Sequence, residues 1–92
     1  LLPTEPLEEI IKVLEFGKKK YAAWNWANGN GLSWLETTNS LRRHLYAWLR
    51  GEDNDPETGL SHLSHLACNV IFLLYYLRHK TKYNRDDRVK LG

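Results

Sequence analysis

The segment from Leu60 to Lys80 constrains the fold of this chain more than any other. It reads LSHLSHLACNVIFLLYYLRHK, a helical pattern in which apolar side chains point in nearly every direction around the axis. A helix of this kind must be covered on all sides. Because the chain has only 92 residues, it can supply few covering helices of its own, and we expect a homo-oligomer, a dimer or a higher assembly, to complete the cover.

Two further helices are predicted, and no strand. The first covers about residues 6–21, where apolar residues recur at i, i+3, i+4 and i+7 after Pro6, a residue suited to the first turn. The second covers about residues 33–50 and opens on the S-x-x-E capping box formed by Ser33 and Glu36. Each helix is amphipathic, so each must bury one face against the apolar third helix.

The predicted fold class is therefore all-α. We expect a three-helix antiparallel unit, with the third helix at about residues 60–80, that completes its core by oligomerisation into a helical bundle. Residues 1–80 are predicted to form a single helical domain. Residues 81–92 are polar and lack an apolar period, so they are predicted to be a C-terminal tail, loosely held or docked on a neighbour.

Charge and composition exclude several classes of protein. The 13 basic and 11 acidic residues give a net charge of +2, which is too balanced for sequence-specific DNA binding driven by bulk electrostatics. The apolar run from Ala67 to Leu77 is too short to cross a membrane. Its single cysteine, Cys68, is typical of a small buried side chain in a reducing compartment. We therefore expect a cytoplasmic protein.

Histidines and acids converge at one end of the predicted helical hairpin. His62, His65 and Asn69 share a face of the third helix, and His44 can approach them from the second. Imidazole with carboxylate is the ligand set of Mn, Fe, Ni or Zn, whereas carboxylates alone suit Mg. A second interpretation is a closed hydrogen-bonded network of the same groups that only pins the hairpin. The predicted metal ligands are His44, His62, His65 and Asp55.

A second cluster is aromatic and basic, in the run KKKYAAWNW from Lys18 to Trp26. Indole rings stack on nucleobases, and lysines neutralise phosphates. The structural alternative is that the two tryptophans of this run fill the gap between the first two helices. The predicted ligand-binding residues are Lys19, Lys20, Trp24, Trp26, Arg43 and Asn69.

Over about residues 2–88 the chain resembles the dATP/dGTP diphosphohydrolase N-terminal domain family of bacteriophages. The most specific part is RHLYAWLRGEDNDPETGLSHLSHLACN, from Arg43 to Asn69. More distantly the chain is similar to MazG-like all-α nucleotide hydrolases, whose acidic pattern is matched only in part, by Glu8, Glu9 and Glu15. The positions that carry the resemblance are Arg43, His44, Trp48, Gly51, Glu52, Asp55, Gly59, His62, His65 and Asn69.

The resemblance implies a phage-type nucleotide-handling protein in the host cytoplasm, with metal-dependent hydrolysis of a nucleotide phosphate as the first hypothesis. Glu52 and Asp55 are then the catalytic acids. The cofactor is a divalent metal, with Mg or Mn first and Zn, Fe or Ni as alternatives. Two other hypotheses stay open: a homo-oligomer that sequesters a nucleotide, such as an immune signal, without cleaving it, and a helical assembly module without a ligand.

Overall fold

The computed structural model describes residues 1–21 and 23–88, which form three helices without a strand between them. Helix α1 spans Thr4–Lys20, α2 spans Trp34–Leu49 and α3 spans His62–Arg78. The all-α prediction is confirmed. Within the described residues α3 packs against both other helices, whereas α1 and α2 do not pack against each other. The apolar third helix is thus the centre of the fold.

The observed helices differ from the predicted ranges by at most two residues at each end, and hydroxyl caps account for two of the starts. The Ser33 hydroxyl accepts a hydrogen bond from the Glu36 N–H at 3.2 Å, so α2 begins immediately after it. Ser61 caps α3 in the same way and accepts from the Leu63 N–H at 3.1 Å. These two caps fix where each helix of the hairpin begins.

Helices α2 and α3 pair antiparallel, with a core of aromatic rings at one end. His44 contacts His62, and Trp34 lies with Tyr76 in one buried cluster. Tyr76 is fully buried; its hydroxyl donates to the Trp26 carbonyl at 2.5 Å and accepts from the Leu32 N–H at 3.2 Å. This one side chain therefore ties α3 to the turn segment that precedes α2.

The sequence predicts a polar tail after α3, but this segment packs on its own chain as far as residue 88. Tyr83 is 2% exposed and donates to the Ala27 carbonyl at 3.0 Å. Asp87 accepts from the Leu35 N–H at 2.8 Å and from the Ser33 hydroxyl at 2.5 Å, so it occupies the first turn of α2. The packed unit therefore extends past residue 80, and the rest of the predicted tail, residues 89–92, lies outside the described residues.

One face of α3 is covered by neither partner helix. We call it the α3 apolar face; its large side chains are between 38% and 55% exposed. The prediction that this helix needs further cover rests on these side chains. They are Leu63, Val70, Ile71, Leu74 and Leu77.

Among the described helices, none combines the length and the apolar character that crossing a membrane requires.

Gly31 is predicted to be irreplaceable for a steric reason that its neighbour Gly29 lacks. Both have a positive φ, +77° and +60°. A Cβ on Gly31 would lie 2.8 Å from a Tyr83 ring carbon and 2.9 Å from a Tyr76 ring carbon, whereas one on Gly29 meets nothing within 4 Å. Gly31→Ala should therefore lower the free energy of unfolding by about 1–3 kcal/mol more than Gly29→Ala does.

Urea unfolding of the two variants checks this. Gly29→Ala is the matched control, because it adds the same methyl group at a left-handed position without the ring contacts. Equal unfolding midpoints for the two variants would show that the rings do not close on Gly31.

Candidate metal and nucleotide site

The loop between α2 and α3, residues 50–61, is folded back on itself by backbone hydrogen bonds. The His62 N–H donates to the Asp53 carbonyl at 2.9 Å, and the Asp55 N–H donates to the Leu60 carbonyl at 2.8 Å. Gly51, with a φ of +95°, turns the chain out of α2. These bonds hold the acidic side chains of the loop beside the first turn of α3.

Three side chains meet where this loop touches both helices. His44, Asp55 and His62 each offer one ligand atom, and the three atoms all lie within 4.8 Å of one another. We call them the triad. The two Nδ1 atoms are 2.8 Å apart, and His44 Nδ1 is 3.8 Å from an Asp55 carboxylate oxygen. Both imidazoles are buried, at 7% and 3% exposure, so the arrangement is largely removed from water.

Glu52 holds the outer nitrogen of His62. Its carboxylate accepts a hydrogen bond from His62 Nε2 at 2.6 Å, so this nitrogen carries a proton. One further proton bridges the 2.8 Å contact between His44 Nδ1 and His62 Nδ1. A carboxylate on the outer nitrogen of a histidine is the usual support for a metal-ligating imidazole. A metal ion at the triad would replace the proton that the two histidines share.

Asp55 is held in place by its own loop. One carboxylate oxygen accepts from the N–H groups of Glu57 at 2.8 Å and Thr58 at 3.2 Å, and the other faces His44. Burial pushes the pKa of Asp55 up, but the two N–H donors and the nearby imidazoles outweigh it and hold that pKa below its ordinary value. The carboxyl group is therefore ionised at neutral pH.

His65, the fourth predicted ligand, lies beside the triad and faces elsewhere. Its ring stacks on His44 at 4.6 Å between centroids, and its Nε2 lies 2.7 Å from the Thr58 hydroxyl. Burial lowers the pKa of His65. Burial also acts on His44 and, together with the positive charge of a protonated His65, lowers the pKa of His44 to about 4. Both rings are therefore neutral at neutral pH, the form that can ligate a metal or accept a proton.

A cavity of about 670 Å³ opens between the three helices next to the triad. This volume is in the range of sites that enclose a small organic ligand. Two members of the triad, His44 and Asp55, line it, whereas His62 and Glu52 lie behind that wall. Of the six predicted ligand-binding residues the cavity wall includes Lys20, Trp24, Trp26, Arg43 and Asn69.

The other predicted lysine, Lys19, lines a separate depression between α1 and the loop that joins α2 to α3. Lys20 forms an ion pair with Glu57, two residues beyond Asp55. The hydrogen bond that Lys20 donates to the Glu57 carboxylate raises the pKa of Lys20. The pair brings an ammonium group to the loop that carries the triad carboxylate.

The two tryptophans have different environments. Trp26 stacks on Phe72 at 4.7 Å between ring centroids and meets Tyr75 edge-on at 5.3 Å, as the packing interpretation expects. Trp24 is 68% exposed. Both line the cavity, but only Trp24 leaves most of its ring free.

Sequence reasoning missed three groups. Thr58 holds His65, Glu57 holds Lys20, and Ser40 accepts from the Asn69 amide at 3.2 Å. Cys68 also lines the cavity, where burial raises the pKa of its thiol to about 11. A spacing signal existed only for Ser40, which stands one helical turn before His44 on the face that meets α3.

The buried histidines predict a loss of stability in mild acid. His44 has a folded-state pKa of about 4 against an ordinary value of 6.5, so between these values the unfolded chain binds a proton that the folded chain does not. The free energy of unfolding should therefore fall as the pH drops from about 6.5 towards 4. Urea midpoints at several pH values check this, and His44→Gln should flatten the slope. A midpoint independent of pH over this window would contradict it.

The chain is similar to known proteins over the residues described above. Residues 1–88 match the model of the family described as dATP/dGTP diphosphohydrolase, N-terminal. A curated relative, the dATP/dGTP diphosphohydrolase of Salmonella phage PMBT28, is 33% identical over 81 residues, which are 88% of this chain and 26% of the relative. The chain thus spans about a quarter of that relative's length. No solved structure matches the chain.

The family match covers the whole triad and every residue of the cavity wall named above, and it confirms the resemblance inferred from the sequence. The chain belongs to the dATP/dGTP diphosphohydrolase N-terminal family.

Proposed function

We propose that this chain binds a deoxynucleotide in the cavity and, with a divalent metal at the triad, hydrolyses one of its phosphoanhydride bonds. The observation that carries the proposal is the juxtaposition of the triad with a cavity that also presents Lys20 and Arg43. A metal, cations and a cavity that holds the substrate are the parts that phosphoryl chemistry needs. The relative's name, dATP/dGTP diphosphohydrolase, supports purine deoxynucleoside triphosphates as the substrate class.

The donor set of the triad fits a divalent transition ion. Two ligand nitrogens on adjacent positions of a metal about 2.1 Å away are separated by about 3 Å, and the Nδ1 atoms of His44 and His62 are 2.8 Å apart. Two imidazoles with one carboxylate favour Mn, Fe, Co, Ni or Zn over Mg, which prefers oxygen ligands. We therefore expect the triad to bind these ions more tightly than Mg.

A metal held there would supply Lewis-acid stabilisation of the phosphate charge. Lys20 and Arg43 hold the phosphate oxygens, because both cations line the cavity next to the triad. The oxygen of water joins phosphorus as the bridging P–O bond breaks. The water proton passes to His65, whose neutral ring lines the cavity and whose Nδ1 is free to accept when Nε2 donates to Thr58.

In this proposal Glu52 and Asp55, the two acids predicted to be catalytic, have different roles. Asp55 is a metal ligand at the cavity wall. Glu52 acts through His62, because its carboxylate accepts from His62 Nε2 and does not line the cavity. Glu52 is therefore a positioning residue, of the kind whose loss weakens metal affinity by roughly 10–100-fold.

Removal of triad ligands should abolish metal binding without unfolding the chain. Asp55→Asn and His62→Gln are expected to lose bound ion, and Glu52→Gln to bind it roughly 10–100-fold more weakly. Asp53→Asn is the matched control, since Asp53 lies in the same acidic loop but outside the triad. Titration with Mn²⁺, Co²⁺, Zn²⁺ and Mg²⁺, followed by elemental analysis after dialysis, measures the affinities.

Hydrolysis is assayed separately with dATP and dGTP under each ion and under a chelator, with products read by mass spectrometry. Metal-dependent release of phosphate or pyrophosphate supports the proposal. Uncleaved nucleotide recovered with the protein would favour the sequestering alternative. A parent chain indifferent to every ion would overturn the metal site and leave the closed histidine network.

We further propose that the α3 apolar face pairs with the same face of a second copy. None of its five side chains lines the cavity, so pairing leaves the site open. Leu63, Val70 and Leu77 are seven residues apart, the repeat that matches two packed helices. The five side chains are each between 38% and 55% exposed, so pairing would remove much of their apolar surface from water.

Light scattering at micromolar concentration is expected to give the mass of two chains. Leu74→Glu, at the most exposed position of the face, should convert it to one chain, because the carboxylate would be buried without a partner. Leu7→Glu is the control: Leu7 is 41% exposed on α1 and lines neither cavity nor face. A single-chain mass for the parent would show that a second copy does not cover the face.

A further inference from the structure

Trp24 combines two features that folding alone does not explain. Its φ is +63°, and it is the one residue other than glycine with a positive φ among those the structure describes. This left-handed conformation is unusual for a bulky side chain, whereas glycine and asparagine adopt it readily. The strain brings no burial in return, because the side chain stays 68% exposed.

Backbone hydrogen bonds hold this conformation. The Trp24 carbonyl accepts from the N–H groups of Ala27 at 2.8 Å and Asn28 at 3.0 Å. A turn of this shape would form more easily around glycine or asparagine, so the indole ring is not what the turn requires. Strained residues that the surroundings hold in place concentrate at ligand-binding positions.

The neighbouring tryptophan does not share this freedom. Trp26 is sandwiched against Phe72, and its carbonyl accepts the hydroxyl of the fully buried Tyr76. The Trp24 ring meets Trp26 at 5.9 Å between centroids with a 40° tilt, so the packed ring supports the exposed one. Trp24 is therefore a braced aromatic surface at the wall of the cavity.

The chemistry of the same wall identifies what this surface recognises. Lys20 and Arg43 supply positive charge for phosphates, and His44 and Asp55 of the triad lie at the same cavity. A flat ring set among cations suits a ligand with a flat π-system at one end and phosphates at the other. A purine offers a larger face for stacking than a pyrimidine does.

We propose that the Trp24 indole is the platform on which the purine base of the nucleotide stacks, and that it thereby positions the phosphates at the triad. This inference rests on the proposed function, and it assigns base recognition to one named residue. Stacking on an aromatic side chain typically contributes a factor of roughly 5 to 150 in affinity.

The test titrates dATP against the parent, Trp24→Asn and Trp24→Phe with a chelator present, so that hydrolysis cannot intervene. Tryptophan fluorescence and equilibrium dialysis report binding. Trp24→Asn should bind dATP roughly 5- to 150-fold more weakly, and Trp24→Phe should recover most of the loss because it keeps a ring. The parent should also prefer dATP to dCTP.

Thermal melting separates binding from a structural role. Asparagine tolerates a positive φ, so the melting temperature of Trp24→Asn should be no lower than that of the parent. If Trp24 were a packing residue, its replacement would lower the melting temperature. Trp48→Phe, an exposed tryptophan on α2 outside the cavity, is the control and should bind as the parent does.

Two results would overturn the proposal: a parent that does not bind dATP, or Trp24→Asn binding as tightly as the parent. A parent that binds dATP under chelator but does not cleave it with any of the added ions refutes the hydrolysis and leaves the base platform intact. If the parent hydrolyses dATP and Trp24→Asn binds it with full affinity, the hydrolysis is supported and the base platform is refuted.

Discussion

The antiparallel pairing of α2 and α3 is the constraint on which the rest of the structure depends. It is fixed at one end by the aromatic cluster of Trp34 and Tyr76 and at the other by the contact between His44 and His62. The first end is apolar and carries much of the buried core; the second is polar and carries the candidate site. Because one helical hairpin makes both, the spacing of the two histidines is set by packing more than two helical turns away.

At the polar end, hydrogen bonds offset the cost of burying two imidazole rings. Two imidazole nitrogens that lie 2.8 Å apart need one donor and one acceptor between them, and Glu52 accepts from the other nitrogen of His62 on the solvent side. The backbone of the loop does the same for Asp55 by occupying one carboxylate oxygen with its own N–H groups. The same contacts preorganise three donor atoms, so the polar network and the proposed metal site are two states of one arrangement.

Helical periodicity made much of this predictable. A period of 3.6 places His62 and Asn69 on one face, and a short connection places His44 opposite, so the triad could be expected before any coordinates. The orientation of His65 could not, because it depends on Thr58 in an irregular loop. Nor could periodicity separate Trp24 from Trp26, since the difference lies in one backbone torsion. The docking of residues 81–88 could not be predicted for a similar reason. It depends on two single residues, Tyr83 and Asp87, which belong to no periodic pattern in the sequence.

Helix α1 contributes a wall to the cavity but has no buried residue of its own. Beyond its packing on α3, it is held to the loop by the exposed pair of Lys20 and Glu57, a kind of contact that stabilises little in water. A ligand that fills the cavity contacts α1 and the hairpin at once. Its binding therefore adds contacts at a boundary where α1 itself buries no residue, and it should raise the free energy of unfolding.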